Sequence, residues 1–177
     1  MTIRPVTLAD ASAIAEIHMD SWHSTYRGLV SDEFLDGLRL EDRTARWQQR
    51  LADAQVGEFA YVAEDGTEQV VGFGSGVPNT TDHPDYHSEL RALHIAQPYQ
   101  GKGLGRRLTS YVARHLHDMG INNMLVWVLK GNDLACRFYE RLGAVYVTDR
   151  IEEFAGGSIP EVAYGWPDIT VLIEEEE

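Results

Sequence analysis

Three glycines alternate with a lysine and a leucine in Gly101-Lys102-Gly103-Leu104-Gly105, and Arg106 and Arg107 follow directly. From there the apolar residues Leu104, Leu108, Tyr111, Val112 and Leu116 recur at helical spacing, so the glycines make a turn that opens a helix. A helix N-terminus already presents positive charge, and cationic side chains are disfavoured there unless something negative joins them. Glycine permits unusual dihedrals and lets a ligand approach the backbone, so several N–H groups can converge on one phosphate. The stretch reads as a cradle for a pyrophosphate. A flexible turn with solvated basic residues is the plainer alternative, because short glycine patterns also arise by chance.

Two better-known phosphate signatures do not fit. A Walker loop needs a hydroxyl residue after its lysine to hold magnesium, and here Lys102 is followed by Gly103. A dinucleotide fingerprint needs a longer glycine spacing and an acidic residue closing the next strand, whereas that strand ends in Leu129-Lys130.

The elements that must position this turn follow from periodicity, and their order is β-α-α-β-β-β-α-β-α-β-β. Thr2 to Val6 is a short strand. Thr7 with Asp10 three residues on resembles a capping box, and the helix it opens carries Ile14, Ile17, His18 and Trp22 and ends near residues 22–28. A short helical piece over 31–38 and a clearer one over 40–52 complete an N-terminal helical pair. Residues 58–64 and 69–77 form a hairpin around the turn 65–68, and a loop with Pro78, Asn79, Asp82, His83, Pro84 and Asp85 follows. The strand 89–95 feeds the glycine turn, whose helix ends by Gly120. A buried strand over 123–130, a helix from Asp133 to Leu142 with Gly143 at its C-cap, and two last strands over 144–151 and 161–173 complete the chain. One domain spans 1–173, and the acidic residues 174–177 are a solubilising tail.

Composition limits the partners. The 177 residues are 44% hydrophobic, which argues for a folded globule. Asp and Glu number 28 against 15 Lys and Arg, so a duplex nucleic acid, which needs a clustered basic surface, is disfavoured, while a cationic substrate is compatible. Cys136 is the only cysteine, which excludes an intrachain disulfide framework and a thiolate zinc cluster; no metal is expected. With no apolar run near the roughly 20 residues of a membrane span and no signal-peptide core, the expectation is a cytoplasmic protein away from membranes. Nothing in the sequence excludes a homodimer.

Gln100-Gly101-Lys102-Gly103-Leu104-Gly105, after the strand 89–95, resembles motif A of the GNAT acetyltransferase superfamily, and residues 126–144, with their Asn, Ala, Phe-Tyr, Glu and Leu-Gly, resemble its motif B. The element order matches as well, so the resemblance spans essentially the whole chain. It implies an α/β GNAT fold: a mixed central sheet with splayed parallel strands, flanked by helices. It also implies acetyl-CoA as co-substrate and acyl transfer to an amine. The amides of 100 to 105 would wrap the CoA pyrophosphate, with Lys102, Arg106 and Arg107 near the 3′-phosphate or solvent. Backbone groups around Leu93, His94 and Ile95 would meet the pantetheine where the strands part, a splay that a β-bulge commonly produces. The His94 side chain reads more simply as an outward-facing strand residue with no chemical role, since alternation alone puts a polar residue there.

Under the same resemblance Tyr139 is the general acid facing the CoA sulfur, with an aromatic core residue as its plainer reading. Asn132 bridges the strand end to the cofactor or caps the second helix. Glu89 matches a carboxylate that deprotonates the amine, and would otherwise be a strand-edge acid paired with Arg91; His83 and His87 compete with it as bases. Attack in a ternary complex suits the chain, since an acyl-cysteine route would leave Cys136 without a base at readable spacing. The acceptor pocket would be lined by Trp22, Tyr26, Arg27 and their neighbours and by the loop 78–87, although Trp22 can simply close the core. The expected acceptor is a small-molecule primary amine: a polyamine or other cationic amine fits the acidity, and an amino acid or antibiotic fits Arg27; a protein N-terminus or lysine and a CoA-binding sensor without turnover remain as alternatives.

Overall fold

The computed structural model describes residues 1–28, 30–52, 57–79, 83–154 and 157–173. Asp82 of the loop and the acidic residues 174–177 lie outside them.

Among the described residues a seven-stranded sheet has the order β1-β2-β3-β4-β5-β7-β6. Its strands are β1 (Thr2–Pro5), β2 (Phe59–Glu64), β3 (Val70–Pro78), β4 (Ser88–Ile95), β5 (Met124–Leu129), β6 (Val145–Phe154) and β7 (Gly157–Trp166). The helices are α1 (Ala11–Thr25), α2 (Asp32–Asp36), α3 (Leu40–Ala52), α4 (Leu104–Asp118) and α5 (Asp133–Arg141). β1 to β4 form an antiparallel meander, β5 runs parallel to β4, and β7 and β6 return antiparallel. The sheet is therefore mixed, as expected.

The capping-box signal is realised with a 3-10 turn at Leu8–Asp10 ahead of α1: the Asp10 carboxylate accepts from the Thr7 N–H at 2.7 Å. Arg4 grips that carboxylate and Glu64, tying β1 to the helix start and to β2. α1 buries Ala11, Ile14, Ala15 and Ile17 with Trp47 of α3 against Val62 and Phe73 on one face of the sheet. α4 covers the other face with Leu104, Leu108, Val112 and Leu116, each fully buried and contributing about 2 kcal/mol. Gly76 of β3 makes that approach close: a Cβ there would lie 2.6 Å from Phe59 Cζ and 2.8 Å from Val112 Cγ1. Among the described residues no helix is long and apolar enough to cross a membrane.

α1 ends at Thr25, inside the expected 22–28, and Tyr26 caps it. Two sequence expectations are corrected. α2 keeps only Asp32–Asp36 of the stretch 31–38. The last strand begins at Gly157 and ends at Trp166, after which Ile169–Leu172 is a 3-10 turn. Pro167 cannot continue the ladder, and the Asp168 carboxylate accepts from the Thr170 N–H at 2.9 Å, bending the chain away from the sheet.

Candidate active site

The glycine turn opens α4 as its spacing requires. Gly101 and Gly103 have φ of +73° and +80°, a left-handed region that glycine occupies without strain, and a Cβ on either would meet no atom within 4 Å. Gly103 is the N-cap of α4. The amides of Gly101, Lys102 and Gly103 donate to no acceptor among the described residues, so three N–H groups border open space at the positive end of a helix. Gln100 braces the turn by donating its side-chain amide to the Ile95 carbonyl at 2.9 Å. Lys102 is exposed, its ammonium 5.0 Å from the Tyr99 ring centre, and Arg107 donates to the Met1 carbonyl at 3.3 Å. Gly105 serves packing instead: a Cβ there would lie 3.1 Å from Phe138 Cζ, so the glycine lets α5 close against α4. Leu104 is buried, and Arg106 is exposed in the first turn.

β4 and β5 pair at one register position, Glu89 opposite Leu125. Beyond it the strands part, and among the described residues the β5-facing backbone groups of β4 past Glu89, including the segment Leu93 to Ile95, have no strand partner. The cause is visible in the register with β3, which jumps from Ser75↔Ala92 to Gly76↔Leu90; the extra residue, Arg91, is a bulge that turns β4 aside.

On the α4 side, Tyr139 of α5 is buried beside Phe138 and Trp166. Its hydroxyl has no hydrogen-bond partner among the described residues. Ser75 Oγ is the sole fully buried side-chain N or O atom among them without a partner, so the Tyr139 oxygen touches accessible space. Burial pushes its pKa well above the ordinary 10 and keeps it protonated. Asn132 caps α5, its Oδ1 accepting from the Ala135 N–H at 3.2 Å. Burial raises the Cys136 thiol, the opposite of what an acyl-enzyme nucleophile requires.

The opposite face of the sheet carries the carboxylates. Glu89 is central rather than at a sheet edge: its side chain is 15% exposed, accepts no hydrogen bond among the described residues, and has only Arg91 Nε at 3.8 Å. Burial raises its pKa, outweighing Arg91 and Arg150, and the charges of Glu161 and Glu58 add to the rise. Two strands away Glu161 takes Nε and Nη2 of Arg150 on one oxygen, both at 2.8 Å. The Arg150 guanidinium lies 3.9 Å over the Trp127 ring of β5. Tyr86, from the loop before β4, lies on Gly165, where a Cβ would come within 2.6 Å of its ring and hydroxyl.

An aromatic wall rises beside these groups. Trp22 stacks on Tyr26 at 4.4 Å and meets Phe34 and Phe154, while Arg43 lies 5.3 Å over its ring. Both faces of Trp22 are thus occupied by the protein. Its indole N–H donates to His18 Nε2 at 3.0 Å, and the His18 ring lies 4.8 Å from that of His94. Burial is the main reason the His18 pKa falls to about 2 and the cause of the fall of His94 to about 4, so both rings are neutral at physiological pH. His94 is therefore half-buried against α1 rather than outward-facing. Arg27 is exposed and pairs with Asp32 and Asp36 of α2 at 3.3 and 3.7 Å. His83 stacks edge-on to Tyr86, and the His87 N–H donates to Asn123 Oδ1. Sequence reasoning passed over Glu161, Arg150 and Trp127. The alternation of β7 marks Glu161 and Ala163 as sharing a face, but nothing local says that Glu89 shares it.

The chain belongs to the acetyltransferase (GNAT) family, whose model matches residues 13–144. It is 31% identical over 172 residues to the uncharacterised N-acetyltransferase YuaI of Bacillus subtilis (strain 168), covering 97% of this chain and 96% of that one. Its fold is similar to the ribosomal-protein-alanine N-acetyltransferase of Brucella melitensis, with a TM-score of 0.71 at 23% identity over 94% of this chain and 99% of that one. The structure of yncA from Salmonella typhimurium with its cofactor acetyl-CoA gives a TM-score of 0.68 at 21% identity, covering 100% of this chain and 96% of that one. Acetyl-CoA is the co-substrate of this family.

Proposed function

We propose that the chain, as a single domain, acetylates a primary amine of a small molecule by direct attack in a ternary complex. The observation that carries the reading is the position of Glu89: the one β4–β5 register pair closes the gap there, and its buried carboxylate has unbonded oxygens on the α1 side. Gly101 to Gly105 receive the pyrophosphate and the open edge of β4 receives the pantetheine amides, fixing the thioester at the closed end of the gap. Bound acetyl-CoA supplies the acyl carbon. Glu89, whose raised pKa makes it a stronger base than an exposed glutamate, takes a proton from the amine as its nitrogen bonds to that carbon. The C–S bond breaks on the other side, and Tyr139 gives its proton to the leaving sulfur. Burial disfavours both phenolate and thiolate, which keeps donor and acceptor matched. Trp22 and Tyr26 wall the acceptor side, Arg27 stands at its outer rim, and Asn132 holds the far end of the gap.

Thiol release from acetyl-CoA over a panel of small amines, with calorimetry of CoA binding, tests this. Turnover of a small amine is the expected result. Tight CoA binding with no turnover across the panel refutes the catalytic reading in favour of a sensor.

A further inference from the structure

The structure assigns to Glu161 the selection of the acceptor: we propose that it holds a second, cationic group, so that the preferred acceptor is a flexible aliphatic diamine rather than a monoamine. The inference rests on Glu89 marking where the reacting amine sits. Glu161 is nine-tenths buried, yet its partner Arg150 uses only one of its oxygens. The other accepts nothing among the described residues, and since it is not among the fully buried orphans it opens onto accessible space. Arg150 spends Nε and Nη2 on Glu161, Nη2 also faces Glu152 at 3.3 Å, and Trp127 covers its plane, so among the described residues only Nη1 is left beside the open oxygen of Glu161. What Glu161 itself offers a ligand is that carboxylate oxygen, which accepts from a donor.

Burial outweighs the arginines at both carboxylates, so each is left undercompensated, and a cation relieves that cost more than a neutral donor would. Placement sets the length. Glu89 lies opposite Leu125 and Glu161 opposite Leu129, on the two sides of β5. Four residues along a strand are about 13 Å and two strand spacings about 10 Å, so the two Cα atoms stand about 16 Å apart, a span that the glutamate side chains bridge in part. The charge of Glu161 still reaches Glu89 and adds to the rise of its pKa. One ammonium cannot satisfy both, whereas two joined by a short aliphatic chain can. The route between them passes Trp127 and Tyr26, whose hydroxyl also senses Glu161, and aromatic faces suit a cationic chain.

The test compares kcat/KM for putrescine and for n-butylamine at saturating acetyl-CoA, in the wild-type protein and in Glu161→Gln. The wild type is expected to prefer putrescine at least about tenfold, equivalent to about 1.4 kcal/mol. In Glu161→Gln, which keeps an acceptor for Arg150, the preference should collapse through a higher KM for putrescine. Thermal unfolding and acetyl-CoA affinity check that the variant is folded. Equal wild-type efficiency with both amines overturns the diamine inference while leaving amine acetylation intact. A preference that survives in Glu161→Gln overturns the assignment to Glu161. Failure of every amine in a folded, acetyl-CoA-binding protein overturns this inference together with the reading beneath it.

Discussion

Gly103→Ala separates the conformational cost of the glycine turn from its ligand-binding role. Gly103 has φ +80° and Gly120, just past the other end of α4, has φ +81°; a Cβ on either meets nothing within 4 Å. Alanine in that left-handed region costs about 1–2 kcal/mol at both sites. In a chain of this size each kcal/mol lowers Tm by about 2–4 °C, so both variants should melt lower by about 2–8 °C. Only at position 103 does the new methyl stand where the pyrophosphate must approach three free amides. Gly103→Ala should therefore lose at least about tenfold in acetyl-CoA affinity, about 1.4 kcal/mol, while Gly120→Ala keeps it. Gly103→Asp adds charge repulsion and should lose more. The measurements are differential scanning calorimetry for Tm and isothermal titration for affinity. Equal affinities in the two alanine variants would refute the cradle, whatever their stabilities.

Tyr139→Phe should lower kcat about 10²–10⁴-fold with acetyl-CoA affinity unchanged, and Tm should hold because the hydroxyl has no partner among the described residues to lose. An unchanged kcat, with chemistry shown to limit turnover, returns Tyr139 to a packing role. Glu89→Gln should depress kcat/KM most at neutral pH and recover toward alkaline pH, where the amine is already neutral; if His83→Ala or His87→Ala shows that profile instead, the base lies in the loop. The same variant tests stability. The folded pKa of Glu89 is raised, so its stability is fully present below the unfolded value and is lost as pH rises through the folded one. Glu89→Gln should therefore melt above wild type at neutral pH and match it in acid, and a Tm below wild type at pH 8 would contradict the burial cost.

What the sequence determined by itself is local. The left-handed glycines before α4, the Thr7–Asp10 helix start and the Asn132 cap depend on residues within a turn of one another, so their chemistry shows in spacing. The cap at Asp168 was equally local, and the strand read through Pro167 overlooked it. Motif resemblance added Tyr139 and Glu89 as candidates, but not their surroundings. Those belong to tertiary structure, because they depend on register between segments far apart in the chain. The Arg91 bulge opens the β4–β5 gap only because β3 fixes the register on its other side. Glu89, Trp127 and Glu161 come to one face only because β5 is placed between β4 and β7, and strand alternation within any one of them cannot say which strands will be neighbours. His94 looks like an outward polar residue until α1 lays His18 against it. Burial has the same origin: the raised pKa of Glu89 and the neutral His18 are produced by tertiary packing over groups whose sequence neighbours give no sign of it.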